Sequence, residues 1–209
     1  MNLVSRRRLW TALVLSLGTL SGAWAATVNE SGTLATESRA LAGYSAIALR
    51  GGIDIVVRQG EREGVQVSGD DNLVPLVQTT LEGSGDARTL RIELKSGESV
   101  RPRQKLEVTV DVIRLTALAA SGSGDIVVKA LRTPALSLAI SGSSDVCMEQ
   151  LDAGQFSISI AGSGDVKAAG KAGKLDISIA GSVDVRTREL AANEVSVSIA
   201  GSGTIRQRP

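Results

Sequence analysis

Apolar and small polar residues alternate strictly in four short stretches in the C-terminal half of this chain. The stretches lie at residues 136–140, 156–160, 175–179 and 195–199. An alternation of period two is typical of a β-strand with one buried face and one solvated face. Each stretch is therefore predicted to be a strand whose apolar side chains face a core.

A phrase rich in glycine and serine follows each strand, and a similar phrase precedes the first one. Glycine tolerates the positive φ of a tight corner, so each phrase predicts a turn, after which a second short strand begins. The leading glycines of the five phrases are Gly122, Gly142, Gly162, Gly181 and Gly201. Their spacing is nearly constant, and only the step from Gly162 to Gly181 is shorter than the others. A constant interval of about twenty residues indicates one structural unit stacked on copies of itself.

Two strands and two corners within about twenty residues make a single coil. Because every copy runs in the same direction, we expect parallel pairing of successive coils without hairpins. The predicted fold is all-β, a right-handed parallel β-helix with about 20 residues per coil, since parallel crossovers are nearly always right-handed. Leu138 should then stack on Ile158, Ile177 and Val197 at about 4.8 Å per layer.

The sequence pattern upstream of the repeats indicates irregular coils of the same β-helix. Residues 51–57 repeat the pattern of residues 122–128, and further alternating runs occur at 65–67, 90–94 and 106–110. Longer, polar turns separate these runs, as expected of an atypical terminal unit. We therefore predict a single solenoid domain over residues 44–209, preceded by a flexible lead or cap at residues 26–43.

Residues 1–25 have the features of a secretory signal peptide. Three arginines (6–8) precede an apolar run at residues 9–20, and Ala23-Trp24-Ala25 supplies an A-x-A site, so cleavage is expected between Ala25 and Ala26. About twelve apolar residues are too few to span a bilayer, which makes an uncleaved anchor the weaker alternative. We expect a periplasmic or secreted protein with no membrane insertion after signal removal.

The composition of the rest of the chain disfavours several classes of function. Three of the 23 basic residues and none of the 22 acidic ones lie in the signal, so the remainder carries a net charge of about −2, which argues against nucleic acid as a partner. Histidine is absent, which removes the commonest general base and metal ligand. Tyr44 and Phe156 are the only aromatic residues beyond the signal, so stacking platforms for bases or sugars are not expected. We therefore predict no enzymatic activity and no cofactor.

Stacking of the coils should place the acidic residues that follow the corners in one column. Asp and Ser beside glycine commonly bond neighbouring backbone amides, so a structural role is the simpler interpretation. Calcium bridging is the alternative, because stacked carboxylates repel unless solvated, hydrogen-bonded or bridged by a hard cation. The candidate calcium ligands are Asp125, Asp145, Asp165 and Asp184. Two adjacent acidic residues elsewhere in the chain, Asp70 and Asp71, lie between Gly69 and Asn72 and are predicted to form a turn rather than a general acid and base.

Taken in order, several stretches of the chain resemble the head GIN domain family, whose label is auto-transporter adhesin. The matching stretches are residues 44–47, 51–55, 59–61, 65–73 and 90–92, followed by the Ser-Gly-Ser-Gly-Asp coils. The resemblance implies an exported bacterial domain of parallel β-helix type. It supplies no catalytic or binding residues.

Three functions remain open at this point. We favour an exported, non-enzymatic binding, adhesion-like or scaffold module that meets an envelope protein or surface through Ala139, Ser159, Ser178 and Ser198. A carboxylate-dependent envelope hydrolase and a calcium-stabilised structural solenoid are the alternatives. Stacking of open ends into a homo-oligomer is also compatible with the pattern, although Arg206, Arg208 and Pro209 should discourage it at the C-terminal end.

Overall fold

A computed structural model of the chain describes residues 26–28, 31–85, 88–95, 98–100 and 106–207. The described part is all-β, with 80 % of it in strands, and includes a 3-10 turn at Val74–Leu76. No helix within it is long and apolar enough to cross a membrane. The strands are β1 (Ala26–Val28), β2 (Leu34–Arg39), β3 (Tyr44–Gly51), β4 (Asp54–Gln59), β5 (Gly64–Asp70), β6 (Val77–Glu82), β7 (Arg88–Leu94), β8 (Glu98–Val100), β9 (Glu107–Val112), β10 (Ala117–Gly122), β11 (Ile126–Ser143) and β12 (Val146–Gln207).

The strands form one large sheet and one small one. The large sheet is ten-stranded, strongly curled and open, like half of a barrel. Its order is β2-β5-β9-β4-β11-β10-β3-β7-β6, with β12 pairing against β11. The small sheet joins β1 to β8 in parallel. The all-β class predicted from the alternation is confirmed.

The repeats stack in register, as the constant interval predicts. Strand β11 pairs in parallel with the equivalent part of β12 one repeat later, which places Leu138 against Ile158 and Ile140 against Ile160. The pairing of β10 with β11 follows the same rule and places Leu118 against Leu138. Because side chains on paired strands lie on the same face, these residues form continuous apolar columns. The predicted stacking of Leu138 on Ile158 is confirmed.

Strand β12 bends several times along its length. It has 62 residues, and a straight strand of that length would span about 200 Å. Its bends coincide with glycines at positive φ, including Gly162 (153°) and Gly181 (147°). A Cβ built on Gly181 would lie 2.0 Å from the carbonyl oxygen of Gly162, so these two corners touch directly. The element is therefore a succession of strands joined at stacked corners.

One coil is a residue shorter than its neighbours, and glycine contacts locate the missing residue. A Cβ on Gly164 would meet Ser144, which is the full repeat interval away. A Cβ on Gly170 would instead meet Leu151, which is one position closer in sequence. The deletion therefore lies between Gly164 and Gly170. It accounts for the single short interval between the corner glycines.

The first coil stacks on the repeats despite a long separation in sequence. Ile47 of β3 pairs with Leu118, and Ile55 of β4 pairs with Ile126, so both pairs have the same register. The similarity between residues 51–57 and 122–128 thus reflects direct stacking. On the far side of β3 and β4 lie β7 and β9.

The prediction of parallel pairing without hairpins is wrong for the N-terminal part. Strand β5 pairs antiparallel with both β2 and β9, and β6 pairs antiparallel with β7. These strands lie outside the repeats, so nothing obliges them to run in one direction, and antiparallel neighbours need only a short connection. The segment expected to be a lead or cap contains β1 and the edge strand β2.

Aliphatic side chains fill most of the interior, together with Phe156 and, near its N-terminal end, Tyr44. Tyr44 is 2 % exposed, and the single proton of its hydroxyl is shared between the carbonyl oxygens of Asp111 (2.8 Å) and Gly64 (3.2 Å). Burial raises the pKa of Tyr44 far above its ordinary value, a shift that the bond to Gly64 only partly offsets. Tyr44 thereby ties β3 to two strands of the antiparallel extension.

Candidate interaction face and aspartate column

The expected interaction face consists of outward residues on the strands that precede the corners. Ala139 and Ser159 are exposed and lie side by side, because β11 and β12 pair Ala139 with Ser159. Ser178 and Ser198 are also exposed. Each precedes its corner glycine by three positions, as Ser159 precedes Gly162, and Gly181 and Gly201 lie directly over the preceding corner. The four predicted face residues therefore form one column.

The columns on both sides carry equally small side chains. Three coils are paired in the registers 117–121, 137–141 and 157–161, and all nine outward positions in them are alanine or serine. Outward neighbours lie about 6.6 Å apart along a strand and about 4.8 Å apart between coils. The result is a flat lattice of methyl and hydroxyl groups, which we call the Ala/Ser face.

Charged residues lie at the margins of the Ala/Ser face. On the N-terminal side, Ala48 pairs with Ala119 and has Arg91 as its other neighbour. The Arg91 guanidinium lies 2.7 Å from the carboxylate of Glu82. Towards the C-terminal side, the carboxylate of Asp176 lies 3.5 Å from the Lys174 ammonium. The centre of the face can therefore meet another surface without desolvating a charge.

The aspartates after the corners lie on stacked coils, and two carboxylates of this column accept backbone hydrogen bonds. Asp145 Oδ1 accepts a hydrogen bond from the Asp165 amide (2.8 Å), and Asp54 Oδ1 accepts one from the Asp125 amide (3.0 Å). Arg186 lies 3.2 Å from Asp165 and 3.4 Å from the carboxylate of Asp184. In the described part of the chain, no group of three or more His, Cys, Asp or Glu residues is placed to hold a metal ion. The Asp54 and Asp145 carboxylates therefore each tie one corner to the coil that stacks on it.

The acidic pair at Asp70 and Asp71 forms the predicted turn and has a further structural role. Asp70 is fully buried, its Oδ1 accepts a hydrogen bond from the Gly32 amide (3.0 Å), and its Oδ2 has no hydrogen-bond partner among the described residues. The Ser31 hydroxyl donates to Asp71. The Ser31 amide donates to the side chain of Asn72 (3.2 Å). These bonds fix the segment that leads into β2.

Two surface grooves were not anticipated from the sequence. One, of about 650 Å³, includes Arg132, Asp152 and Lys171 in its lining. Asp152 lies 2.9 Å from Arg132 and 3.4 Å from Lys171. Desolvation acts to raise the pKa of Asp152, but hydrogen bonds and charge from Arg132 and Lys171 outweigh it and lower the pKa. The signal that could have revealed this ladder is the alternation of charge at positions 132, 152 and 171, which stacked coils bring together.

The second groove, of about 480 Å³, passes the half-buried thiol of Cys147. Lys167, Arg186 and Arg188 line it together with Glu149 and Glu189. Glu149 forms an ion pair with Lys129, and Arg186 is held by the aspartate column. The mixture of both charges makes this groove an ordinary solvated surface.

The predicted signal peptide lies outside the described residues. Of its cleavage pair, Ala25 is not described, and Ala26 begins strand β1.

A protein-family model described as "Putative auto-transporter adhesin, head GIN domain" matches residues 43–209. The comparison with curated proteins found no match.

Several solved structures share the fold. A putative adhesin from Bacteroides fragilis is 20 % identical, with a TM-score of 0.65, and the match covers 86 % of this chain and 99 % of that one. A putative adhesin from Parabacteroides distasonis is 25 % identical (TM-score 0.62), with 86 % and 84 % of the two chains covered. A third, from Parabacteroides merdae, is 22 % identical (TM-score 0.60), with coverage of 87 % and 84 %.

Proposed function

Since this chain belongs to the head GIN domain family, we propose that it is an exported, non-enzymatic binding module of the cell envelope, periplasmic or secreted. We further propose that its coils form a right-handed parallel β-helix of about 20 residues per turn. The parallel register between successive repeats supports this geometry. The signal-like residues 1–25 support export.

The observation that carries the binding proposal is the flatness and neutrality of the Ala/Ser face. Alanine loses no side-chain rotamer entropy on contact and serine loses little, so a partner can pack on this face at low entropic cost. The serine hydroxyls can donate and accept hydrogen bonds at regular intervals. Ala139 and Ser159 lie at its centre, Ser178 and Ser198 continue the same column past Asp176, and these four are the residues we assign to the contact.

The chemistry of the face also indicates the kind of partner. Strong protein hot spots usually bury Trp, Tyr or Arg, and none of these occupies the nine paired positions of the face. Binding should therefore depend on contact area and shape, which favours a broad, flat partner over a short peptide or a small ligand. An envelope protein or an extended envelope surface meets this requirement.

A pair of lysine substitutions tests the proposal. In Ser159→Lys/Ser178→Lys, two long charged side chains stand on adjacent coils in the column assigned to the contact, where a partner would have to bury them. The matched control is Ala130→Lys/Gln150→Lys, which adds the same charge at two exposed, mutually paired positions away from the face.

The measurement is binding of the immobilised full-length chain to soluble and membrane fractions of the envelope, followed by an isotherm with the captured component. We expect the face variant to bind at least about tenfold more weakly than the control. Equal binding by the two variants, with unchanged circular dichroism, would remove the face from the proposal.

The groove at Asp152 gives little support to the alternative of a carboxylate-dependent hydrolase. A general acid needs a raised pKa, whereas the pKa of Asp152 is lowered by Arg132 and Lys171. The calcium-stabilised solenoid retains one supporting observation, the stacked aspartates, and is tested by calcium addition below.

A further inference from the structure

The apolar columns of the core become exposed at the last coil. In the coils before it, Ile158, Ile160, Ile177 and Ile179 are only 2–3 % exposed. The next residues in the same columns are Val197, which is 46 % exposed, and Ile199, which is 42 % exposed. In the described part of the chain, no strand covers their outer side. Within residues 106–207, a core cross-section and the backbone edge of a strand are therefore both uncovered at this coil.

The open strand lacks the features that usually prevent edge-to-edge pairing. Natural edge strands carry charges, proline or bulges that block a second strand. Residues 195–205 contain neither a charged residue nor a proline. The flanking residues, Glu194 and Arg206, are of opposite charge, and both are exposed. They lie at equal distances in sequence before and after Ala200.

We propose that this end is a dimerisation surface, on which a second copy of the chain pairs antiparallel about a two-fold axis near Ala200. A two-fold interface must be self-complementary, because the same surface occurs on both sides. Antiparallel pairing centred on Ala200 places Glu194 opposite Arg206 of the other copy, twice in the dimer. It also places Val195 opposite Ile205, both of which are partly buried hydrophobic residues at the edge of the core.

The corner at Gly201 makes this arrangement compatible with the shape of the coil. Gly201 has a φ of 146°, and the chain turns there. Beyond the corner, Gly203 lies over Val183, so the following residues continue the next side of the coil. A two-fold axis near this corner therefore places the strand before the corner in one copy against the strand after the corner in the other copy. The two paired strands run in opposite directions. Pairing along both sides supplies on the order of ten backbone hydrogen bonds, about the number in a typical protein interface.

Arg206 has a different role in this dimer from the one that the sequence suggests. The sequence alone predicts that Arg206 deters stacking, whereas the two-fold pairing gives it a carboxylate partner. Glu194 already lies 3.8 Å from Lys174 within the chain, a long exposed contact that leaves it available to a second cation. Of the four residues assigned to the Ala/Ser contact, only Ser198 lies on this last coil, so the dimer does not require Ala139, Ser159 or Ser178.

The test is charge reversal at Glu194 followed by rescue through the reciprocal change at Arg206. The association of the full-length chain is measured by sedimentation equilibrium at about 1 to about 200 μM, a range that brackets a dissociation constant in the micromolar range. We expect a monomer–dimer equilibrium for the unaltered chain. Glu194→Arg should raise the dimer dissociation constant about tenfold or more, since it creates two like-charge pairs. Glu194→Arg/Arg206→Glu should restore it to within about threefold. Val197→Lys should abolish the dimer, and circular dichroism shows whether that variant is folded.

Four results would overturn the proposal. They are a monomer at every concentration, a mass that keeps growing as in head-to-tail stacking, a reversal without effect, and a double variant that fails to recover. The Ser178→Lys substitution is the control, because it lies on the Ala/Ser face and should leave the dimer unchanged. A dimer lost through Ser178→Lys and retained in Val197→Lys would place the contact on the face instead.

Discussion

Replacing Gly162 by alanine should destabilise the protein strongly, because the corner has no room for a Cβ atom. Gly162 has a φ of 153°, a conformation that residues with a side chain rarely adopt, and holding alanine there costs about 1–3 kcal/mol. The added Cβ would lie 2.1 Å from the carbonyl oxygen of Gly142 and 2.9 Å from its nitrogen. Both are backbone atoms, so the two coils must separate locally, at a further cost of about 1–3 kcal/mol.

The two contributions together give a loss of about 4 kcal/mol in the free energy of unfolding. For a chain of this size, the loss corresponds to a fall in Tm of about 10 °C. The assay is urea unfolding followed by far-ultraviolet circular dichroism, with the slope m checked for constancy. Gly60→Ala is the matched control, because its Cβ meets nothing within 4 Å and its φ is not positive. The control should change stability by less than about 1 kcal/mol.

A second comparison tests the role of stacking itself. Gly201 has the same kind of φ (146°), and its Cβ would lie 2.2 Å from the Gly181 carbonyl oxygen. Among the described residues, only the preceding coil contacts this corner, so it can move outward and Gly201→Ala should cost less than Gly162→Ala. The reasoning fails if Gly162→Ala stays within about 1 kcal/mol of the Gly60→Ala control.

Three further predictions concern titration, metal and the aspartate column. Tyr44 is the chain's only tyrosine, and its folded pKa is raised above its ordinary value of 10.0. Its stabilising contribution is therefore complete below about pH 10 and is lost as pH rises beyond it. Tyrosinate absorbance in the near ultraviolet should thus appear only with unfolding, and Tyr44→Phe should weaken the alkaline transition. Millimolar calcium should leave Tm unchanged; a rise of several degrees that magnesium does not reproduce would instead favour the calcium-stabilised solenoid. Asp145→Ala removes the acceptor of the Asp165 amide and should cost about 1 kcal/mol, whereas Asp145→Asn should cost less; equal unfolding midpoints for both variants would contradict the assigned bond.

The regular part of the fold was predictable because each coil repeats the same sequence pattern, an alternating strand followed by a glycine corner. Alternation determined which residues face inward, and the glycine interval determined which residues stack, so Leu138 and Ile158 could be paired without coordinates. The similarity of residues 51–57 to 122–128 correctly indicated a stacked coil, because equivalent positions in neighbouring layers need equivalent side chains.

The N-terminal extension was not predictable in the same way. Strands β5, β6 and β7 have no repeat to define their neighbours, and an alternating strand looks the same in parallel and antiparallel pairing. Their order depends on tertiary contacts such as the hydrogen bond from Tyr44 to Asp111. The Arg132–Asp152–Lys171 ladder was also missed, although the register that predicted the apolar columns contains the information for it.

The position of the first coil has a consequence for how the chain reaches its native state. Contacts between neighbouring repeats join residues that are close in sequence, such as Leu138 and Ile158. The first coil pairs with the repeats through residues that are much further apart in sequence, such as Ile47 and Leu118. Closing the longer loop costs about 1 kcal/mol more in chain entropy. A polypeptide that emerges N-terminus first would also present β3 and β4 well before residues 117–128 arrive. The repeats, whose contacts are close in sequence, should therefore fold first. Strands β3 and β4, although synthesised earlier, should then pair with the folded repeats.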